Sequence, residues 1–93
     1  MKYEIQRTAS FVKDYKLAVK RGCDIGKLRA VVELLANGET LPREYRDNAL
    51  VNSKKYKGVR ECHIEPGWLL VYKITENVLV LTLFRTGTHS DLF

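Results

Sequence analysis

Three strand-like runs follow one another between residues 57 and 85 with almost nothing between them, and this spacing constrains the fold more than any other feature. Lys57–Ile64 is the first, and Pro66-Gly67 after it is a strong turn signal. Trp68–Thr75 is the second, apolar on both faces apart from Lys73. Glu76-Asn77 makes a tight turn, and Val78–Arg85 is the third. Links this short require antiparallel neighbours, so the segment predicts a meander with Trp68–Thr75 in the middle. In an up-down-up meander the outer strands run parallel to each other. Residues at their C-terminal ends therefore come to one edge, which brings His63, Arg85 and the following His89 toward one corner.

The first half reads as one strand and two helices. Lys2–Arg7 alternates polar residues with Tyr3 and Ile5, a period-two pattern. Thr8 and Ser10 offer N-caps to a helix running to about Arg21, with Phe11, Tyr15, Ala18 and Val19 at helical spacing. Gly22 ends it. Asp24 can cap a second helix through about Ala36, whose stripe is Ile25, Leu28, Val31, Val32 and Leu35, and Asn37-Gly38 stops it. So short a connection predicts an antiparallel helical hairpin. Leu41-Pro42-Arg43-Glu44 reads as a loop, and Tyr45–Lys55 as polar and irregular around an apolar patch at Ala49-Leu50-Val51. The order is β-α-α-β-β-β: an α+β domain over residues 1–93, with the hairpin on one face of an antiparallel sheet.

Ninety-three residues suffice for one small core, and 45% apolar content argues against disorder. No apolar run reaches the roughly 20 residues of a membrane span, and the start lacks a signal peptide's apolar stretch, so the expectation is cytoplasmic with no membrane partner. Cys23 and Cys62 are expected as free thiols. Two histidines without a CxxC spacing predict no metal, and no cofactor motif occurs. The net charge is +5, unevenly spread: residues 1–30 carry eight Lys/Arg against three Asp/Glu, and residues 61–93 carry two against four. A basic face beside a separate reactive corner suits an enzyme that grips a polyanion, although solvated lysines alone would look the same.

Two imidazoles and a guanidinium suit RNA cleavage without metal. That reaction needs a base for the 2′-hydroxyl proton, an acid for the leaving 5′-oxygen, and positive charge against the phosphorane. Histidine can serve as either base or acid near neutral pH. Arginine presents a fixed fork of donors to phosphate oxygens. Trp68 and Phe93 offer flat faces for an unpaired base. Each residue also has a purely structural reading. A histidine on a strand is commonly structural, Arg85 can pair with Glu65 or Asp91, Trp68 can sit in the core, and Phe93 can tuck in as a tail. Lys54, Lys55, Lys57 and Arg60 can be a solvated loop.

The segments 56–73 and 84–93 carry a specific resemblance. Tyr56 through Lys73, with Cys62-His63-Ile64-Glu65-Pro66 at its centre, and Phe84-Arg85-Thr86-Gly87-Thr88-His89-Ser90-Asp91-Leu92-Phe93 resemble the YafQ branch of RelE-type bacterial toxins. The similarity extends over essentially the whole chain.

The resemblance implies the toxin of a type II toxin–antitoxin system, entering the ribosomal A site and cutting mRNA to leave a 2′,3′-cyclic phosphate. It implies a ribbon-helix-helix antitoxin partner, with operator DNA bound only through their complex. By motif match, His63 and His89 become the acid–base pair, with His89 favoured as the general acid. Arg85 becomes the phosphate and transition-state contact, and Trp68 and Phe93 substrate-side residues. Outside the motif match, Asn48 is expected to bind substrate by hydrogen bonding, and Lys54 and Lys57 by charge. The chain departs from the family where Asn48 replaces a histidine and Gly67 replaces an aspartate. Asn48 can hydrogen-bond but cannot exchange a proton at neutral pH. Two other readings share the fold: a toxin that inhibits by binding a target such as gyrase, and a catalytically decayed member kept for antitoxin binding.

Overall fold

The computed structural model describes residues 1–50 and 58–93. Its elements are β1 (Glu4–Arg7), α1 (Ala9–Lys20), α2 (Ile25–Ala36), β2 (Asn48–Ala49), β3 (Arg60–Glu65), β4 (Trp68–Thr75), β5 (Val80–Gly87) and α3 (His89–Leu92). Single 3-10 turns at Arg43–Tyr45 and Glu76–Val78 complete the described chain. The sheet runs β1-β5-β4-β3-β2. The expected meander is there: β4 lies antiparallel between β3 and β5.

Local chemistry accounts for the elements. The Thr8 side chain accepts from the Phe11 backbone N–H at 3.0 Å and starts α1. Asp24 occupies the N-cap of α2, but its side chain makes no capping bond. α1 buries Phe11 and Ala18 while Val19 stays exposed, so the α1 stripe is narrower than its sequence suggests. α2 buries Leu28, Val31, Leu35 and Ala36. Those side chains meet Cys62, Ile64, Trp68, Leu70, Tyr72, Leu81 and Leu83 from the sheet, each large one contributing about 1.5–3 kcal/mol. A second, smaller core forms on the opposite face from Val59, Leu69, Val71 and Leu92, with Leu50 and Phe84 against it. Because both faces are covered, β4 is buried from Trp68 to Tyr72, which is why its sequence does not alternate.

Three features differ from expectation. The sheet is mixed, because β1 pairs parallel with β5 from Glu4↔Val80 to Arg7↔Leu83. A strand followed by two helices can return to the far edge of the sheet, and a two-turn sequence pattern does not reveal which edge receives it. The segment read as irregular contains β2, whose two residues pair with Glu61 and Arg60. The segment read as a terminal loop is α3, closed by a capping box in which Thr88 and Asp91 satisfy each other's backbone N–H groups.

Two register shifts matter for the site. In β5, Val71 faces Arg85 while Tyr72 faces Leu83, leaving Phe84 extra. In β3, His63 faces Leu69 while Glu65 faces Trp68, leaving Ile64 extra. Such bulges bend a strand and re-aim the side chains beside them.

Trp68 is 7% exposed, and its indole N–H donates to Thr86 Oγ1 at 2.8 Å; Thr86 in turn donates to the Leu69 carbonyl at 2.7 Å. The indole is thus packed in the core, with its N–H taken up by Thr86. Trp68→Phe should therefore lower stability by about 1–3 kcal/mol through the lost buried hydrogen bond. That corresponds to a Tm fall of at least about 4 °C, read by thermal unfolding.

Candidate active site

The reactive corner is built on the face of the sheet away from the helical hairpin. Leu69 at the start of β4 faces His63 on one side and Gly87 on the other, so β3 and the end of β5 are level there. Two residues later α3 begins with His89 and folds back over the sheet, burying Leu92 against Leu69 and Val71. The ring centroids of His63 and His89 lie 6.4 Å apart, and those of His89 and Phe93 lie 5.6 Å apart. Phe93 is 56% exposed, so an aromatic face stands at the mouth beside His89.

Gly87 makes the approach of α3 possible. Its φ is +156°, and a Cβ there would lie 2.9 Å from Asp91 Oδ2 and 3.1 Å from Asp91 Cβ. Asp91 is the anchor of the helix. It accepts from the Thr88 backbone N–H at 3.0 Å and pairs with Arg21 of the α1–α2 turn at 2.8 Å. The Arg21 guanidinium, followed by the Thr88 N–H, holds the Asp91 carboxyl well below the usual carboxylate range.

Arg85 takes a different course from the one its sequence position suggests. Its guanidinium pairs with Asp14 of α1 through Nε at 2.6 Å and a terminal nitrogen at 3.1 Å, and Asp14 also accepts from the Thr86 N–H at 3.1 Å. The expected alternatives are engaged elsewhere: Glu65 pairs with Lys27 and Asp91 with Arg21. The β5 bulge turns Arg85 toward α1, so the ring contacts join His63, His89 and Phe93, while Arg85 is set by Asp14.

Asn48 faces Glu61 across the β2–β3 ladder, and its side-chain amide donates to the Arg46 carbonyl at 2.9 Å. Asp47 next to it is held by Arg60 at 3.0 Å and by the Tyr72 hydroxyl. Lys54 and Lys57 lie outside the described residues. Gly67 has open space where a Cβ would stand, at the edge of a cavity of about 250 Å³ shared with Trp68, Thr88 and Asp91. The two thiols are remote from this chemistry. Cys62 lies in the core with its pKa pushed up to about 12, chiefly by burial and then by the Asp47 and Glu61 charges. Cys23 is half-buried in the turn between the helices.

Glu61 is the residue that sequence reasoning missed. It precedes His63 by two on β3, so both side chains project from the same face. Among the described residues, Glu61 Oε2 and His63 Nδ1 are the buried side-chain polar atoms left without a hydrogen-bond partner. Each such vacancy costs about 1–3 kcal/mol unless a ligand fills it. The signal was available as a carboxylate at the period-two position before a histidine.

Comparisons with known proteins bear on the family and the fold. The sequence model of the YafQ toxin family, described as a bacterial toxin of type II toxin–antitoxin systems, matches residues 3–93. The mRNA interferase toxin YafQ of Escherichia coli (strain B / BL21-DE3) is 44% identical over 91 residues, spanning 97% of this chain and 95% of that protein. The toxin in a crystal structure of the E. coli DinJ–YafQ complex is 43% identical with a TM-score of 0.88, covering 98% of each chain. A metal-bound toxin from Helicobacter pylori is 41% identical with a TM-score of 0.91, covering 98% of this chain and 99% of that one. Among the described residues of this chain, no three His, Cys, Asp or Glu side chains group to hold a metal ion.

Two outcomes are expected from the anchoring of α3. Gly87→Ala should push Asp91 away and displace His89, lowering RNA cleavage at least about tenfold. A side chain at φ +156° adds about 1–3 kcal/mol of strain, seen as a lower Tm. As for pH, a carboxylate held below its unfolded value contributes stability above that value, near pH 4, and loses it as pH falls through the depressed one. The stability difference between wild type and Asp91→Asn, read by chemical denaturation, should therefore stay constant from about pH 5 to 8 and shrink only in stronger acid.

Proposed function

Since the chain belongs to the YafQ family of type II toxin–antitoxin toxins, we propose that the corner under α3 cuts mRNA by acid–base attack of a 2′-hydroxyl on the neighbouring phosphorus. The chain is a toxin of the mRNA interferase class, an endoribonuclease. One observation supports the chemistry above the rest: two imidazoles with centroids 6.4 Å apart stand on separate elements, β3 and the start of α3. At that separation each can reach a different oxygen of the same phosphodiester through a hydrogen bond of about 2.6–3.2 Å.

The reaction balances without a co-reactant. A base takes the 2′-hydroxyl proton, the 2′-oxygen forms a bond to phosphorus, and the bond from phosphorus to the 5′-oxygen breaks. The general acid gives that oxygen a proton, leaving a 2′,3′-cyclic phosphate and a free 5′-hydroxyl. His89, exposed and carried on α3, is the acid in this assignment. His63 takes the other side, with Glu61 beside it. The 2′-hydroxyl donates to His63 Nδ1, and Glu61 Oε2, an acceptor only, takes a hydrogen bond from a second donor of the substrate. Arg85 supplies the charge that steadies the phosphorane, its planar fork held in orientation by Asp14. Phe93 stacks on an unpaired base at the mouth. Asn48, Lys54 and Lys57 bind the substrate strand.

The setting proposed is the ribosome, where Lys13, Lys16 and Lys20 on the exposed side of α1 suit ribosomal phosphates. A cognate antitoxin of the ribbon-helix-helix type holds the toxin inactive, and operator DNA is reached only through that complex. The E. coli relative is seen in complex with DinJ. No described helix is long and apolar enough to cross a membrane, and action in the cytoplasm follows from the ribosomal target.

His89→Gln should lower kcat for mRNA cleavage on programmed ribosomes by about 10²–10⁴-fold, with the fold retained by circular dichroism. Arg85→Ala should lower it comparably. An mRNA carrying a 2′-deoxy sugar at the cleaved position should resist the wild-type toxin. Full cleavage by both variants, or of the deoxy substrate, refutes the mechanism.

A further inference from the structure

β2 ends opposite Arg60 and Glu61, so the rest of β3 has no strand on that side among the described residues. A cavity of about 410 Å³ opens there, lined by Lys27, Tyr45, Arg46, His63, Glu44 and Glu65. His63 is shared with the reactive corner, so whatever fills this cavity is next to the cut. Its size is ample for one nucleotide. Two cations, one half-buried aromatic ring and two carboxylates face it together.

The rim is held rigidly. Asp47 is fixed by Arg60 and Tyr72, and the Arg46 carbonyl by Asn48. Between these anchors Arg46 adopts a left-handed conformation, φ +47° and ψ +44°, which costs a non-glycine residue about 1–2 kcal/mol. Nothing in the fold needs a cation at that strained position, since Arg46 is exposed. Strain retained in this way collects at functional sites. Lys27 meets Glu65 across the opening at 3.4 Å, with both side chains well exposed, so the pair holds the mouth only weakly and a ligand can exchange it.

We propose that this cavity binds the nucleotide adjacent to the cleaved phosphodiester, an assignment that rests on the nuclease reading of the reactive corner. Tyr45 stacks on the base, Arg46 and Lys27 meet the flanking phosphate, and Glu44 and Glu65 accept hydrogen bonds from the base edge. Carboxylates can only accept, so the subsite favours bases whose exocyclic amino group offers two N–H donors over uracil, whose edge offers the single N3–H.

The test is cleavage on purified programmed ribosomes, with mRNAs that vary the base on either side of the cut. Tyr45→Leu keeps apolar packing but removes stacking, and should raise KM at least about fivefold with kcat within about threefold. Arg46→Gly relieves the left-handed strain, so Tm should hold or rise. It should nonetheless raise KM and reduce the slope of log KM against log salt by about one. Glu65→Ala should erase the preference for amino-bearing bases over uracil at one flanking position. The proposal is overturned if KM, salt slope and base preference all stay at wild-type values. It is also overturned if Arg46→Gly loosens only the antitoxin complex. His89→Gln is run in parallel: if that variant stays active, the reaction assignment fails, and if it is inactive while the subsite variants behave as wild type, only the subsite fails.

Discussion

Everything in this molecule depends on the register of β4 between its two neighbours. Leu69 faces His63 on one side and Gly87 on the other. That single level determines where the chain leaves the sheet, and so where α3 starts and His89 stands. The register is itself locked from the opposite face by the hydrogen bonds from Trp68 to Thr86 and from Thr86 to the Leu69 carbonyl. Shifting β4 by one residue would turn the buried indole to the outer face and expose its core neighbours. The hydrophobic core and the reactive corner therefore share one constraint, seen from opposite sides of one strand.

A second theme is the use of carboxylates as brackets. Asp14 ties Arg85 and the Thr86 backbone to α1, Asp47 ties the segment before β2 to Arg60 and Tyr72, and Asp91 ties α3 to Arg21. The Asp14 and Asp47 brackets join an element to the sheet, and the Asp91 bracket joins α3 to the α1–α2 turn. Two of the pairs are well exposed on at least one side, so their value lies in geometry more than in Coulomb energy. Glu61 stands apart from these three, with one oxygen buried and unpartnered on the same face as His63. Among the described residues it is the one acidic side chain with a buried oxygen left unpaired, and a vacancy of that kind calls for a physical explanation.

Much of the architecture was legible from period and punctuation. The Pro66-Gly67 and Glu76-Asn77 turns announced the meander, and Thr8 and Gly22 bounded α1 where the structure has it. The neighbourhood of His63 and His89 followed from strand direction alone. What resisted reading had a common cause. β2 is two residues long, too short to show alternation. α3 is one turn, dictated by its capping box rather than by periodicity. The bulge at Phe84 is invisible in sequence, so the partner of Arg85 was sought among Glu65 and Asp91, while the true one lies on α1. Trp68 was open to two readings, and burial decided for the core.

By itself, then, the sequence determined the longer elements and their order, the antiparallel meander and the pair of histidines at its end, but not β2 or α3. These depend on turn chemistry and side-chain period, which act over a few residues. Only the tertiary structure decided that β1 closes the sheet in parallel beside β5, that Arg85 is held by Asp14, that Glu61 joins His63, and that Tyr45 and Arg46 frame a cavity at the open edge of β3. Those are meetings of residues far apart in the chain. They follow from register, bulges and desolvation, and no local pattern records them.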